Sequence, residues 1–238
     1  MRRSPVSFVG SKGWLDRHVN DAFVKQAKEQ DLRSRAYFKL DEVQAKHKII
    51  RPGAFIVDLG CAPGGWSLAA ARILFSNRNA GSSSSSSSGH GTNSNKGLII
   101  GIDLLDMQPI DNVTFIRGDF LKPEVQANII RLSGGRKADL ILSDMLQNTS
   151  GHHATDHFRS IDLCLTALDF STGTLDTNGS MLCKYLQGSE ERDMVRQFAE
   201  VFGDVRVVKP RASRRESSEA FLLALKKKRI PVVVAKDR

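Results

Sequence analysis

The sequence predicts an α/β fold in which a mostly parallel sheet carries helices on both faces. Three observations predict it. Short apolar runs of strand length alternate with stretches of helical periodicity, a glycine-rich turn joins the first run to a helix, and a polar residue stands at or just beyond the end of each of the first five runs. The length of 238 residues suits one domain rather than two, and 40% hydrophobic against 26% charged residues supplies the material for a real core.

Taken in order, the first 50 residues read as helical, with Ala36, Leu40, Val43 and His47 making one apolar stripe. Residues 54–60 (AFIVDLG) are a short strand ending in a turn, and Trp66 to Phe75 follow as a helix. Residues 76–97, rich in serine, glycine and asparagine, cannot bury apolar area and read as a flexible excursion. The strand-and-helix pattern runs up to this tract and resumes after it, so it interrupts one domain (16–229) instead of separating two; 1–15 and 230–238 read as a leading segment and a tail. Further strands are predicted at 98–103, 113–119, 138–144 and 179–184. Phe158, Ile161, Leu165 and Leu168 fall at helical spacing after a cap at Thr155, and Met194, Phe198, Val201 and Phe202 do so later. Strands at 204–209 and 219–226 close the pattern.

The formal charge of +9 is polarised. Residues 1–51 hold 12 basic and 6 acidic side chains and residues 206–229 hold 9 and 2, around a mildly acidic middle. Two basic flanks predict a polyanionic partner. No apolar stretch approaches the roughly 20 residues of a spanning helix, so no membrane association is expected. The three cysteines, Cys61, Cys164 and Cys183, are too few and scattered for a disulfide framework and read as buried thiols of a reducing compartment. Residues 1–15 contain Arg2, Arg3 and Lys12 and no acid, a composition that fits the tail of a mitochondrial presequence.

In an open parallel sheet, ligands bind beyond the carboxyl ends of the strands. Asp58, Asp103, Asp119, Asp144 and Lys184 mark the ends of the first five strands here, more than turn chemistry alone requires. The turn Gly60-Cys61-Ala62-Pro63-Gly64-Gly65-Trp66 lets backbone approach a ligand where a helix begins, yet it is not the G-x-G-x-x-G that a dinucleotide pyrophosphate needs. Gly60 and Asp103 are 43 residues apart, and 21 once the polar tract is set aside, close to the roughly 20-residue spacing at which an acid meets ribose hydroxyls. The site reads as one for a nucleoside without a pyrophosphate. His153 and His157 have the spacing of a helical metal pair but lack a third ligand, so no metal is expected.

The segment DLGCAPGGWS (58–67) resembles the cofactor turn of S-adenosylmethionine-dependent methyltransferases, specifically the FtsJ-type ribosomal RNA 2′-O-methyltransferases. RSRAYFKLDEV (33–43), GIDLLDMQPI (101–110), GDF (118–120), LSDMLQNTSG (142–151), KYLQG (184–188) and KPRASRRESSEAF (209–221) resemble the same family, in family order. The resemblance implies a Rossmann-like fold with a mostly parallel seven-stranded sheet and S-adenosylmethionine as cofactor. It implies a catalytic set of Lys39, Asp144, Lys184 and Glu219. Lys184 would serve as base or positioner, Asp144 would orient it and touch the cofactor, Lys39 would hold the target phosphate or ribose, and Glu219 would bond a lysine or the sugar. The implied cofactor site comprises Asp58, Gly60, Pro63, Gly64, Gly65, Trp66, Asp103, Asp119 and Asp144, with Trp66 shaping the pocket or filling core. Asp103 would accept from ribose and Asp119 from the adenine amino group.

The opening WLDRHVNDAF and the ending ASRRESSE are most similar to the mitochondrial branch. That implies a uridine of large-subunit ribosomal RNA, free or in the assembling subunit, as substrate, and Arg33, Arg35, Lys209, Arg211, Arg214 and Arg215 as phosphate contacts. One departure stands out: Leu146-Gln147 occupies the place where the family has Ala-Pro after SDM, beside the target nucleoside. A monomer is expected. Transfer to tRNA or a messenger cap, and a non-catalytic assembly role, are the alternative readings.

Overall fold

The computed structural model describes residues 21–76, 97–146, 149–214 and 216–229. The chain runs α1 (Ala22–Glu29), α2 (Ala36–His47), β1 (Phe55–Leu59), α3 (Gly65–Phe75), β2 (Leu98–Asp103), β3 (Thr114–Arg117), α4 (Pro123–Leu132), β4 (Ala138–Ser143), α5 (His153–Thr174), β5 (Leu175–Leu186), α6 (Glu191–Val201), β6 (Phe202–Val208) and β7 (Glu219–Lys227). The seven strands form one sheet in the order β3-β2-β1-β4-β5-β7-β6. Every pairing is parallel except those of β7, which runs antiparallel to both β5 and β6. The chain winds outward from β1 to β3 and then returns to β4 on the other side of β1. The crevice for a ligand opens where these two directions part.

Strand periodicity divides the core between the two faces. Phe55, Val57 and Leu59 of β1, with Ala220, Leu222 and Ala224 of β7, pack against α4, α5 and α6 through Val125, Ile129, Ile161, Cys164, Met194 and Phe198. Ile56, Phe221 and Leu223 point the other way, onto Leu40 and Val43 of α2 and Trp66, Ala69 and Ala70 of α3. Both faces are thus covered, which is why β1 is buried along its whole length.

The helical reading of the first 50 residues resolves into two helices for the part that is described. Asp21 caps α1 by accepting from Phe23 N at 3.0 Å, the chain turns at Asp31 in a left-handed conformation, and α2 ends on left-handed Lys48. Leu40 and Val43 are core, while Ala36 and His47 at the ends of the stripe are half-buried. The helix predicted from a Thr155 cap starts three residues earlier, with His152 at the cap, because Asp156 accepts from Ser150 N at 2.7 Å and Gly151 N at 3.1 Å and so organises the entry itself. Phe158 departs from expectation. The buried face of α5 follows His157, Ser160, Ile161, Cys164, Ala167, Leu168 and Ser171, which leaves Phe158 52% exposed. β5 begins at Leu175, four residues before the predicted start, and its pairing with β4 shifts register between Ala138 and Leu140.

Residues 1–20, 77–96 and 230–238 lie outside the described residues, so the leading segment, nearly all of the polar tract and the whole of the tail do too. The described ends of the tract come back together: a side chain on Gly97 would meet Leu74 Cδ2 of α3 at 2.7 Å, one turn from where the chain departs at Ser76. Among the described residues no helix is long and apolar enough to cross a membrane.

Candidate active site

The turn after β1 is tied to β2. Gly60 N and Cys61 N both donate to Ile102 O, at 2.9 and 3.2 Å, Ala62 N donates to Asp103 Oδ2 at 2.9 Å, and Gly64 N closes the turn on Cys61 O at 2.7 Å. Gly64 has φ +108°, and a Cβ there would meet Ile110 Cδ1 at 2.6 Å; Gly60 has φ +70° and would meet Met145 Cγ at 2.4 Å. Both positions therefore need glycine for conformation and for space. Gly65 packs as closely: a Cβ there would run into Ser34 Oγ and stand 3.3 Å from Tyr37 N of α2, so only glycine lets α2 and α3 come this near. Pro63 is exposed at the tip of the turn.

Three carboxylates, Asp58, Asp103 and Asp119, stand at the strand ends on this side of the sheet. Asp58 is wholly buried; its Oδ2 accepts from Ser67 Oγ at 2.6 Å and its Oδ1 has no hydrogen-bond partner. Burial, reinforced by the nearby Asp144 and Asp103 charges and opposed by the Ser67 hydroxyl, pushes its pKa up to about 7. Asp103 accepts from Leu105 N through Oδ1 as well as from Ala62 N, and Asp119 Oδ1 accepts from Leu121 N at 3.0 Å. Burial first, then Asp58 and Asp103, raises the Cys61 thiol far above its ordinary range, so Cys61 stays protonated and is no nucleophile.

Trp66 does not line this turn. It is 2% exposed and packs against Phe221, ring centroids 5.6 Å apart and tilted by 39°, inside the core with α2 and α3, which corrects its reading as a pocket residue in favour of core filling.

The other half of the edge carries two lysine–carboxylate pairs. In β5 the residues facing α5 are Met181, Cys183 and Tyr185, so Lys184 shares the opposite face with Leu182. Lys184 lies opposite Phe221 of β7, and Glu219 begins β7 two residues before Phe221 on the same face. Lys39 arrives from α2, its Nζ 5.6 Å from the Phe221 ring centroid and 2.7 Å from Glu219 Oε2. Glu219 Oε1 in turn accepts from Ser213 Oγ at 2.7 Å. Lys184 Nζ donates to the Asp144 carbonyl at 2.6 Å and stands 2.9 Å from Asp144 Oδ1, close enough for an ion pair but off the hydrogen-bond direction. Lys39 and Lys184 are each 8% exposed. A buried ammonium is tolerated because each meets a carboxylate. Alternation along β5 and β7 is the signal that places two of the four groups, Lys184 and Glu219, on one face. Ser213, the fifth member, lies inside the KPRASRRESSEAF segment without any pattern to mark it.

The basic flanks are less available than the sequence implied. Arg35 and Arg214 converge on Asp21, Arg214 Nε at 3.0 Å, and Arg35 also donates to Ala212 O; this clamp ties α1 to the loop before Glu219. Arg35 is thereby engaged inside the protein through both terminal nitrogens, a correction to its reading as a phosphate contact, while Arg214 uses Nε alone and stays partly exposed. Arg33, Lys209 and Arg211 are exposed, and Arg215 lies outside the described residues. In the run 226–229, Lys227 is buried and donates to Ser171 O, Thr172 O and Leu175 O at 2.7–2.9 Å, capping the end of α5. Lys228 Nζ similarly donates to Ala199 O at 2.6 Å. Leu146 is exposed, while Gln147 and Asn148 lie outside the described residues. His157 is not a metal ligand: Nδ1 meets Leu186 O at 2.6 Å and Nε2 accepts from Glu190 N at 3.0 Å. Among the described residues there is no group of three His, Cys, Asp or Glu arranged for a metal.

A parallel sheet with one reversed strand next to its edge, a glycine turn unlike that of dinucleotide enzymes, and a row of strand-end carboxylates together define a Rossmann-like methyltransferase fold. The FtsJ-like methyltransferase family matches residues 32–227, and the chain belongs to that family. It is 38% identical over 219 residues to ribosomal RNA large subunit methyltransferase E of Acinetobacter baylyi, covering 92% of this chain and 93% of that protein. It is 40% identical over 217 residues to the protein of the same name from Rhodopseudomonas palustris, covering 91% and 85%. Among solved structures, a Plasmodium falciparum protein described as a ribosomal RNA methyltransferase superposes with a TM-score of 0.67 at 27% identity, over 82% of this chain and 98% of that one.

Proposed function

We propose that this protein methylates the 2′-hydroxyl of a uridine ribose in mitochondrial large-subunit ribosomal RNA, using S-adenosylmethionine. The observation that carries the reading is the pairing of Lys39 with Glu219 and Lys184 with Asp144 on one sheet edge, beside a glycine turn ringed by carboxylates. The turn fits the cofactor chemically. A sulfonium nucleoside carrying an ammonium, ribose hydroxyls and an adenine amine is rich in cationic and donor groups, and Asp58, Asp103, Asp119 and Asp144 offer acceptors, one of them the unpartnered, buried Asp58 Oδ1. When bound, the cofactor supplies an electrophilic methyl group.

Asp103 would receive the ribose hydroxyls and Asp119 the adenine amine, while Gly60 and Gly64 would leave backbone free to meet the amino-acid end. Lys184 is steadied by Asp144. Once its ammonium has given one proton to solvent, the neutral amine turns its lone pair to the target 2′-hydroxyl, takes the hydroxyl proton as the oxygen takes the methyl group, and returns to the ammonium paired with Asp144. Lys39, steadied by Glu219 and Ser213, holds the phosphate or ribose of the target nucleotide. Arg33, Lys209 and Arg211 track the neighbouring phosphates. Because the ribose must be reached from outside, the target lies in a loop or at splayed bases.

Ribosomal RNA as substrate is supported by the names of the relatives. The mitochondrial setting is supported by the acid-free, Arg-containing residues 1–15 and by the likeness of the opening and ending segments to the mitochondrial branch. Incubation with methyl-labelled S-adenosylmethionine and either large-subunit ribosomal RNA or assembling subunits, followed by mapping of 2′-O-methyl positions, tests the activity. Label in one uridine is expected, and no label in either substrate overturns the reading. Subcellular fractionation of cells expressing the tagged chain tests the location, and exclusion from mitochondria overturns that part.

A further inference from the structure

The strand that carries Lys184 outruns its neighbour. β4 pairs with β5 only as far as Ser143 opposite Cys183, and then leaves as the loop that bears Asp144. Lys184, Tyr185 and Leu186 therefore keep β7 on one side and have no strand on the other. Backbone groups left open in a buried setting need partners. They find them on α5, through residues spaced i, i+3 and i+7 on one helix face. Cys164 Sγ donates to Lys184 O at 3.1 Å, and Ser160 Oγ accepts from Leu186 N at 2.9 Å. His157 Nδ1 donates to Leu186 O at 2.6 Å, while its Nε2 accepts from Glu190 N at 3.0 Å, so one neutral tautomer satisfies both contacts. Ser160 Oγ also donates to His157 O at 2.7 Å. The turn after β5 is moulded on the imidazole: a Cβ at Gly188 would stand 2.5 Å from His157 Cγ. His157, Ser160 and Cys164 are each buried.

We propose that this face of α5 replaces the missing strand and that Ser160, Cys164 and His157 are positioning residues for Lys184, acting through the β5 backbone from the face opposite its ammonium. The inference rests on the proposed role of Lys184 and extends it to residues that touch neither cofactor nor RNA. The physical reason is that the overhang is what opens the crevice. A strand paired on both sides would close it, while one paired on a single side would let the lysine wander by the ångström or so that costs a reaction about a hundredfold.

Two measurements test this. In single-turnover methyl transfer to ribosomal RNA, Ser160→Ala and Cys164→Ala should each lose about tenfold in rate with RNA and cofactor affinity within about twofold, and Cys164→Ser, which keeps a donor, should recover most of the loss. Equal loss in Cys164→Ala and Cys164→Ser, or unchanged rates in both alanine variants, overturns the proposal. In the free protein, the 13Cε resonance of Lys184, assigned by its loss in Lys184→Arg, should shift in Cys164→Ala and return in Cys164→Ser. An unmoved resonance overturns the proposal without reference to any substrate. If the wild-type protein methylates no RNA, the reading of the activity falls and the resonance alone decides the positioning.

Discussion

The two halves of the sheet edge solve opposite electrostatic problems. On the β1–β2 side, Asp58 and Asp103 repel one another and neither forms an ion pair among the described residues, the Asp58 carboxyl being pushed up to about 7 and Asp103 held by two backbone N–H groups. On the β4–β5–β7 side, each carboxylate meets a lysine: Asp144 with Lys184 and Glu219 with Lys39. The first half is an acceptor set waiting for a cationic, donor-rich ligand. The second is balanced within itself and offers ammonium groups to an oxygen nucleophile and its phosphates. On the proposed reading, the first half would hold the methyl donor and the second would direct the oxygen that receives the methyl.

The most severe challenge to this contrast is Lys184→Ala. It should lower single-turnover methyl transfer about a thousandfold while equilibrium cofactor binding changes less than twofold, the loss expected for removing a positioned proton acceptor. Transfer at the wild-type rate would move the chemistry elsewhere on the edge.

Next in size is the pH dependence of stability contributed by Asp58. Its carboxyl titrates at the ordinary aspartate value of 3.8 in the unfolded chain and at about 7 in the folded one, so the folded state holds the extra proton between those limits. Its contribution to stability is complete below pH 3.8 and is lost as pH rises through about 7. Asp58→Asn should become more stable relative to wild type across that window, by up to about 4 kcal/mol. Urea melts at pH 5 and pH 8 should give a larger difference at pH 8, and an equal difference at both would show that Asp58 is not destabilised by burial.

Lys227→Met probes the basic run beyond the second half. Leaving three carbonyls at the end of α5 without their donor should cost about 3 kcal/mol in denaturant unfolding. The salt dependence of RNA affinity should stay that of the wild type, since Lys227 contacts no phosphate. A shallower salt slope with unchanged stability would restore it to the RNA surface.

The mildest change should come from Asp103→Asn, which keeps an acceptor and removes the charge. Cofactor affinity should fall about tenfold with the saturated rate nearly unchanged, measured by calorimetry and single-turnover assays. A rate loss without an affinity loss would place Asp103 on the transfer side of the contrast.

Much of this was legible without coordinates. The alternation of apolar runs with helical stretches located all seven strands, and polar residues do stand at the carboxyl ends of the first five, because hydrophobic period and turn chemistry are local properties. Lys39, Asp144, Lys184 and Glu219 could be singled out through their place in family segments. Trp66, Phe158, Arg35 and Lys227 could not be read correctly that way. A tryptophan beside a glycine turn, an aromatic at helical spacing, and two basic residues in charged flanks each have the same local signature whether they face ligand, solvent or core.

The order of residues alone was enough to settle the sheet, the succession of its elements and the chemical identity of its edge, since these follow from which residues can bury a face and which must end a strand. It took the folded chain to decide which cations pair with which carboxylates and which of the remainder stay free. Asp21 claims Arg35 and Arg214, the latter across 193 residues of chain, and Lys39 meets Glu219 across 180. Such pairings are set by the crossing of α2 over β7 and by the three-residue overhang of β5, and no local pattern encodes either.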